Sequence, residues 1–329
     1  MRPPLELSTG YKPSPLAGEA LPAVIFLVLA LTPAVAGIMR EEYLLSLFAR
    51  MMIFAIAAIS LDLLVGFGGL ISFGHAAFIG LAAYAVGILS AHGLKDAVAS
   101  LPVAILACAL FALLTGLVCL RTKGVYFIMI TLAFGQMAFF TASSLAPYGG
   151  DDGLTIAARN TVAGFALLRN EWFFYYVVLG CLIGTYHFCR VLIGSRFGRV
   201  FRGAKENAVR METLGFDVHR FQLTGYVIAG SVAGLAGFLL ANATEFVSPA
   251  YMSWQRSGEL IVMVILGGLG SLHGAILGTA AYLFLEEWLS GFTENWKVIF
   301  GPILVLVVLF ARGGLLGAWA EIRQRLRRG

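Results

Sequence analysis

The sequence predicts an all-α, polytopic membrane protein with about nine or ten membrane segments. Of its 329 residues, 59% are hydrophobic and only 12% are charged, whereas about a quarter of the residues in ordinary soluble domains are charged. Most of its apolar stretches reach the roughly 20 residues that a spanning helix needs. No hydrophilic stretch is long enough for a second domain, so we expect a single membrane domain.

Charge-poor stretches follow one another along the chain. They cover residues 20–39, 51–94, 97–120, 124–150, 172–189, 221–244, 260–285 and 298–311. The second stretch is about twice the length of one span and contains Gly66-Phe-Gly-Gly69, so it predicts two helices that meet at a glycine turn. Glycines at 267–271 divide the stretch 260–285, whose first piece is too short to cross a membrane. This stretch is either a re-entrant segment or a broken helix.

The positions of Lys and Arg predict how the chain is oriented. Short basic loops stay in the cytoplasm, and most basic residues fall at 194–220, at 121–123 and near the two ends of the chain. We therefore predict a cytoplasmic segment at 1–20, one transmembrane domain at 21–312 with a cytoplasmic loop at 194–220, and a basic cytoplasmic tail at 313–329. An AVA run at 34–36 resembles a signal-peptidase site, but the apolar run before it is longer than a typical signal core, so we expect no cleavage.

The loop at 194–220 contains a pattern that predicts a short docking helix. Residues 204–215 read as a helix in which Glu206 and Arg210 pair at i,i+4 and Gly215 ends the helix. Its small and apolar residues fall on one side: Ala204, Ala208, Met211 and Gly215. This face predicts contact with a partner protein. The alternative is a helix that lies on lipid headgroups.

Few ionisable residues fall at membrane depth, where a charge is costly and marks a candidate for function. His75 and His273 lie in two glycine-rich segments, 68–80 and 267–278, whose sequences echo each other. Paired glycine-interrupted segments indicate the translocation path of a transporter. We predict that this path is lined by Asp62, Ser72, His75, Gly268, Ser271 and His273. The alternative is structural: histidines bonded to helix carbonyls, and an aspartate that caps amides exposed at the Gly66 break.

Two rows of glycines predict close contacts between helices, because small residues allow membrane helices to approach. One row is Gly230, Gly234 and Gly237, and the other is Gly270, Gly274 and Gly278. Helix packing is the simpler interpretation of both rows. A wall of the translocation path is the functional alternative.

The sequence contains no sign of an enzyme. It has no GxxxxGK[ST] motif, so it cannot hold nucleotide phosphates through a P-loop, and any ATPase would be another polypeptide. Ser72 and His75 share a helix face but lack the setting of an intramembrane protease. The four cysteines form no CxxC pattern, so we expect no disulfide, metal or cofactor in this chain. The net charge of +5 follows from the membrane topology and does not indicate nucleic-acid binding.

At several motifs the sequence resembles the LivM type of permease in ABC importers for branched-chain amino acids. The resemblance runs from about residue 60 to residue 278 and is specific in the order and spacing of its motifs. These are LDLLVG at 61–66, GLISFGHAAFIG at 69–80, TLAF at 131–134, GGDDGL at 149–154, Glu206-Asn207 with Leu214-Gly215, and LGGLGS at 266–271.

The resemblance implies the all-helical permease fold of an ABC importer in the bacterial inner membrane. It implies that residues 204–215 form a coupling helix that contacts an ATPase, with Ala204, Glu206, Asn207, Arg210, Leu214 and Gly215 as the contacting positions. The implied partners are a second related permease, two ATPase subunits that hold ATP and Mg, a periplasmic binding protein and membrane lipid.

Two positions depart from the pattern of the family, because Asp62 replaces a more usual asparagine and Ala208 replaces a more usual glutamate. The family also includes permeases for urea and short amides, so branched-chain or related amino acids are one of two substrate predictions. An ion-coupled secondary transporter is the alternative of another class. Asp62 as an ion-coupling group favours that alternative, and the docking helix disfavours it.

Overall fold

The computed structural model describes residues 15–39, 42–292, 295, 298–302, 305 and 313–317, and it is almost entirely helical. The α-helices are α1 (Pro15–Met39), α2 (Glu42–Asp62), α3 (Ala76–Ala91), α4 (Ala97–Cys119), α5 (Val125–Ser143), α6 (Glu171–Gly194), α7 (Arg196–Glu206), α8 (Ala208–Thr213), α9 (Val218–Thr244), α10 (Trp254–Gly267) and α11 (Leu272–Ser290). A π-helical turn, Leu63–Phe67, continues α2, and two short strands, β1 (Leu154–Thr155) and β2 (Phe246–Val247), pair antiparallel. The prediction of an all-α fold is confirmed.

Six helices in the described part of the chain are long and apolar enough to cross a membrane. They are α1, α2 with its π-helical turn, α4, α5, α6 and α9. The shorter apolar helix α3 and the pair α10 and α11, which is bent by 116°, provide the remaining segments. The polytopic architecture is therefore confirmed. The predicted last segment, 298–311, lies mostly outside the described residues.

The faces of α4 show how sequence separates a packing surface from a lipid surface. Its small residues Ala104, Cys108 and Ala112 are fully buried, while Leu106, Leu110 and Leu114 on other faces are more than half exposed. The hydrophobic effect does not explain this arrangement, because lipid tails are as apolar as leucine. Close packing through small residues drives the association of such helices instead, so the exposed leucines mark a surface that faces lipid.

The glycine row on α9 packs as predicted. A Cβ atom on Gly230 would lie 2.9 Å from the Cβ of Ala112, and one on Gly234 would lie 2.9 Å from the Sγ of Cys108. A Cβ on Gly237 would collide with the carbonyl oxygen of Ile79. The row thus brings α9 against α3 and α4, and the packing interpretation is confirmed.

The ends of the membrane helices lie on two opposite sides of the molecule. Residues 194–220 are called the exposed segment. The side of the molecule that carries this segment is called the loop side. The π-helical turn at the end of α2 touches Lys205 of the exposed segment, while Tyr43 at the start of α2 donates a hydrogen bond to Glu287 near the end of α11. The 267–271 break between α10 and α11 therefore lies toward the loop side, and both outer ends of this pair lie on the opposite side.

Residues 313–317 return to the loop side. A Cβ on Gly268 would lie 2.5 Å from the carbonyl oxygen of Gly313, and one on Gly274 would lie 3.0 Å from the Cδ1 of Leu316. The predicted division into an N-terminal segment, a transmembrane domain and a C-terminal tail stays a prediction, because most residues of the two end segments lie outside the described part of the chain.

On the opposite side, the loops 144–170 and 245–253 form one layer. Strands β1 and β2 join them, with Leu154 opposite Val247. The guanidinium of Arg159 donates to the carbonyl oxygens of Asn242 at 3.1 Å and Leu168 at 3.2 Å, and to Glu171 at 3.2 Å. It also lies over the ring of Phe174, 4.7 Å from its centre. Arg159 therefore holds the loop 144–170 against the ends of α6 and α9.

Candidate functional site

The exposed segment consists of two short helices, α7 and α8, joined at Asn207. The Ser195 hydroxyl accepts from the Gly198 amide at 3.3 Å and begins α7, and the Asn207 Oδ1 accepts from the Arg210 amide at 2.9 Å and begins α8. Gly215 has a φ of 87° and the next amide donates to the Met211 carbonyl at 3.1 Å, which is a common way for a helix to end. The predicted stop at Gly215 is confirmed.

The predicted single helix at 204–215 is wrong. Asn207 has extended backbone angles, φ −156° and ψ 96°, and divides the segment into two helices. The reason is that asparagine is among the strongest N-cap residues, and here its side chain satisfies a free amide at the start of α8. Glu206 and Arg210 therefore belong to different helices and do not form the predicted ion pair.

The surface that the exposed segment offers to a partner also differs from the predicted face. Ala204 is buried, and the sulfur of Met211 would lie 2.8 Å from a Cβ on Gly203, so these two residues of the predicted face pack within the protein. The most exposed large apolar residues of the segment are Val209 and Leu214, which are 68% and 65% exposed. Glu206, Asn207, Arg210 and Gly215 are exposed beside them. Val209 and Leu214 are therefore the apolar centre of the surface that this segment exposes.

Two breaks in membrane helices meet below the exposed segment. The first is the π-helical turn at Leu63–Phe67. The second is the 267–271 break, where Gly268 and Gly270 have φ values of 113° and 76°. A Cβ on Gly66 would collide with the amide nitrogen of Gly270, so the two breaks touch backbone to backbone.

Asp62 connects these two breaks. Its carboxylate oxygen Oδ1 accepts a hydrogen bond from the Gly270 amide at 2.8 Å, and its side chain is fully buried. The predicted alternative role, capping of amides at a helix break, is thus observed, although the amide belongs to the second break and not to the one at Gly66. Ser271 begins α11 by accepting from the Gly274 amide at 3.2 Å.

The other predicted path residues lie in several environments. His75 is fully buried, and its Nε2 lies 2.7 Å from the Ser60 hydroxyl. Ser72 is also fully buried, whereas Gly268 is buried beside Gly313 and His273 is partly exposed at the start of α11. The structure brings Asp62, Gly268 and Ser271 to the same pair of breaks. The assignment of these residues to a translocation path stays a prediction.

Two contacts of the site could not be predicted from the sequence. Lys205 donates from its Nζ to the carbonyl oxygen of Gly66 at 2.5 Å, and Ser60 is the partner of His75. Lys205 is one of many basic residues in its loop, so its position in the sequence does not distinguish it from the others. Ser60 lies 15 residues before His75, too far for a local pattern.

A cavity of about 310 Å³ opens beside the exposed segment. It is bounded by the turn after α2, the start of α5 and the join of α7 with α8, and its polar lining includes Lys123, Lys205, Thr122 and Gln222. Residues 122–124 and the exposed segment thus share the loop side, as the distribution of basic residues predicts.

The apolar helices, together with the exposed segment on one side, define a multi-pass membrane protein. A family model described as the permease component of branched-chain amino acid transport systems matches residues 43–309. The chain belongs to this permease family, and it is a transport subunit.

Individual relatives support the same assignment. The chain is 27% identical to the high-affinity branched-chain amino acid transport system permease protein LivM of Escherichia coli over 91% of this chain and 76% of the relative. It is also 31% identical to a probable branched-chain amino acid transport permease protein LivH of Methanocaldococcus jannaschii, over 46% of this chain and 50% of the relative. No solved structure matches the chain significantly.

Proposed function

We propose that this permease is a subunit of an ATP-driven importer that moves branched-chain amino acids from a periplasmic binding protein into the cytoplasm. The observation that carries the proposal is the exposed pair Val209 and Leu214 on a short, capped helix pair in a chain of the branched-chain amino acid permease family. Apolar side chains outside the membrane-spanning helices favour a protein partner. That partner is an ATPase subunit.

The loop side is the cytoplasmic side in this proposal. The exposed segment carries Arg196, Arg199, Arg202, Lys205, Arg210 and Arg220, and basic loops favour the cytoplasm. The start of α1 and residues 313–317 share this side, which supports a cytoplasmic position for both ends of the chain in this proposal. The membrane is the bacterial inner membrane, because the binding protein delivers the substrate from the periplasm.

The proposed complex contains two related permeases and two ATPases. Similarity to both LivM and LivH proteins supports a second permease related to this chain. ATP and Mg bind to the ATPase subunits, because this chain has no P-loop sequence. The binding protein docks on the layer formed by residues 144–170 and 245–253, where Asp151 and Asp152 are exposed.

In the proposed mechanism, ATP binding closes the two ATPases and displaces the exposed segment. The helices of the two permeases then change their arrangement so that the path opens alternately to either side. The predicted path residues Ser72, His75 and His273 belong to this step, together with Asp62, Gly268 and Ser271 at the helix breaks. Substrate selection rests largely on the binding protein.

Replacing Val209 and Leu214 together by aspartate is expected to lower the amount of co-purifying ATPase at least about tenfold, because a carboxylate buried without a partner at an interface is costly. The measurement is the ratio of ATPase subunits to permease after purification of the co-expressed complex. The matched control makes the same change to aspartate at Phe165 and Leu167, two exposed apolar residues on the opposite side. This control should keep the ATPase. Wild-type ATPase content in the Val209 and Leu214 variant would contradict the docking role.

A second prediction separates this importer from an ion-coupled transporter. Asp62→Asn should keep most of the uptake, because the amide oxygen of asparagine can still accept the Gly270 hydrogen bond that Asp62 accepts at 2.8 Å. Asp62→Leu should lower uptake about tenfold, because the buried amide then has no acceptor. An ion-coupled transporter needs the charge of the carboxylate, so loss of uptake in Asp62→Asn would favour that alternative.

A further inference from the structure

Helix α7 packs against the first helix break through the aromatic ring of Phe201. Phe201 is 1% exposed, and its ring lies 5.6 Å from that of Phe197 in a stacked arrangement. A Cβ on Gly225 would lie 2.7 Å from this ring, and one on Gly68 would collide with it. The two glycines therefore make the space into which Phe201 fits. Displacement of α7 must push on residue 68, just after the π-helical turn.

Lys205 makes a polar contact at the same break. In a continuing α-helix the Leu70 amide would donate to the Gly66 carbonyl, but it donates to the Leu64 carbonyl at 2.9 Å instead. The Nζ of Lys205 donates to the Gly66 carbonyl at 2.5 Å, and its Cγ would lie 2.9 Å from a Cβ on Gly69. Lys205 thus takes the place of the backbone donor that the π-helical turn removes.

The same turn holds the second break. Gly66 touches the backbone of Gly270, and Asp62, one helical turn earlier, accepts from the Gly270 amide at 2.8 Å. The contacts therefore run without a gap from α7 through Lys205 and Gly66 to Gly270. The contact between Gly66 and Gly270 joins backbone atoms and Asp62 is fully buried, so the two breaks shift together. Lys205 is an exposed residue whose Nζ joins α7 to them.

We infer that Lys205 is a positioning residue that transmits movement of the exposed segment to the 267–271 break through the Gly66 carbonyl. This inference rests on the proposed function, because it assigns the transmitted movement to an ATPase docked on the exposed segment. ATPase docking itself depends on Val209 and Leu214, on the outer face. Lys205 contributes to the use of ATP hydrolysis and not to the binding of the ATPase.

The test compares Lys205→Met with Lys205→Arg and with Lys123→Met in the complete importer, reconstituted in vesicles. Lys123 is the matched control, because it is exposed and lines the same cavity. We measure ATPase content, ATP hydrolysis, and substrate molecules transported per ATP. Lys205→Met is expected to keep the ATPase and its hydrolysis but to transport about tenfold less substrate per ATP, since it removes one charged hydrogen bond. Lys205→Arg and Lys123→Met should stay near the wild-type ratio.

The possible results separate this inference from the proposed function. If the wild type binds no ATPase or transports without ATP, the proposed function fails. If the wild type is normal and Lys205→Met transports the wild-type amount per ATP, Lys205 does not transmit movement. Loss of ATPase from Lys205→Met would make Lys205 a docking residue and would also overturn the inference. Should Lys205→Met fail to assemble, Lys205→Gln replaces it, and a wild-type ratio in that variant contradicts the inference.

Discussion

Gly66→Val is expected to lower uptake at least about tenfold, because the site has no space for a side chain. The first carbon of any side chain at residue 66 would collide with the Asp62 carboxylate and with the backbone of Gly270. Backbone cannot swing aside as a flexible side chain does. Valine therefore forces the two helix breaks apart and removes the hydrogen bond between Asp62 and Gly270.

Uptake by the assembled complex measures this effect, with the amount of complex in the membrane as a reference. Gly180→Val is the control, because Gly180 lies on α6 and a Cβ there would have nothing within 4 Å. It should transport like the wild type. Wild-type uptake by Gly66→Val would show that the contact between the two breaks does not matter for transport.

Arg159→Met is expected to destabilise the folded protein by about 2–3 kcal/mol, chiefly because two carbonyl oxygens lose their donor. The Arg159 side chain is only 12% exposed, whereas its acidic partners Glu171 and Glu245 are 49% and 45% exposed. Water solvates those carboxylates when the arginine is removed, so the ion pairs contribute little to the expected loss. The loss of the contact over the Phe174 ring adds to it.

Thermal unfolding of the purified protein in detergent measures the change. Arg169→Met is the matched control, because Arg169 is exposed in the same loop and no hydrogen bond or ion pair of its side chain occurs in the described part of the chain. We expect its unfolding temperature to stay within a degree or so of the wild type. Equal unfolding temperatures for the wild type and Arg159→Met would contradict the role of Arg159 in holding the loop 144–170.

The membrane segments and their breaks could be predicted because their signals are local. A run of apolar residues requires only its own length to span a membrane, and the glycines at 66–69 and 267–271 interrupt such runs in the sequence itself. The spacing of Gly230, Gly234 and Gly237 likewise predicts close helix packing from the sequence itself. These features do not depend on which part of the chain lies opposite.

The division at Asn207 was also a local feature, but two local signals compete there. The spacing of Glu206 and Arg210 favours one helix, whereas asparagine favours the start of a new one. The structure resolves this competition in favour of the cap, and the outward face moves from Ala204 and Met211 to Val209 and Leu214. The sequence offers no measure of which signal is stronger in this loop.

The contacts at the breaks could not be predicted, because they join distant parts of the chain. Asp62 and Gly270 are 208 residues apart, and Gly66 and Lys205 are 139 residues apart. The echo between segments 68–80 and 267–278 marked both glycine-rich segments as related. It did not indicate that Gly66, just before the first segment, touches Gly270 of the second, or that a lysine of the exposed segment lies beside Gly66.

The energy source of transport is the most direct test of the assignment to an ATP-driven importer. Vesicles that contain the purified complex are loaded with ATP in the absence of an ion gradient and supplied with the binding protein and labelled leucine, isoleucine, valine or urea. ATP-dependent accumulation of the branched-chain amino acids, without accumulation of urea, is the expected result. Accumulation driven by a proton or sodium gradient in vesicles without ATP would contradict it.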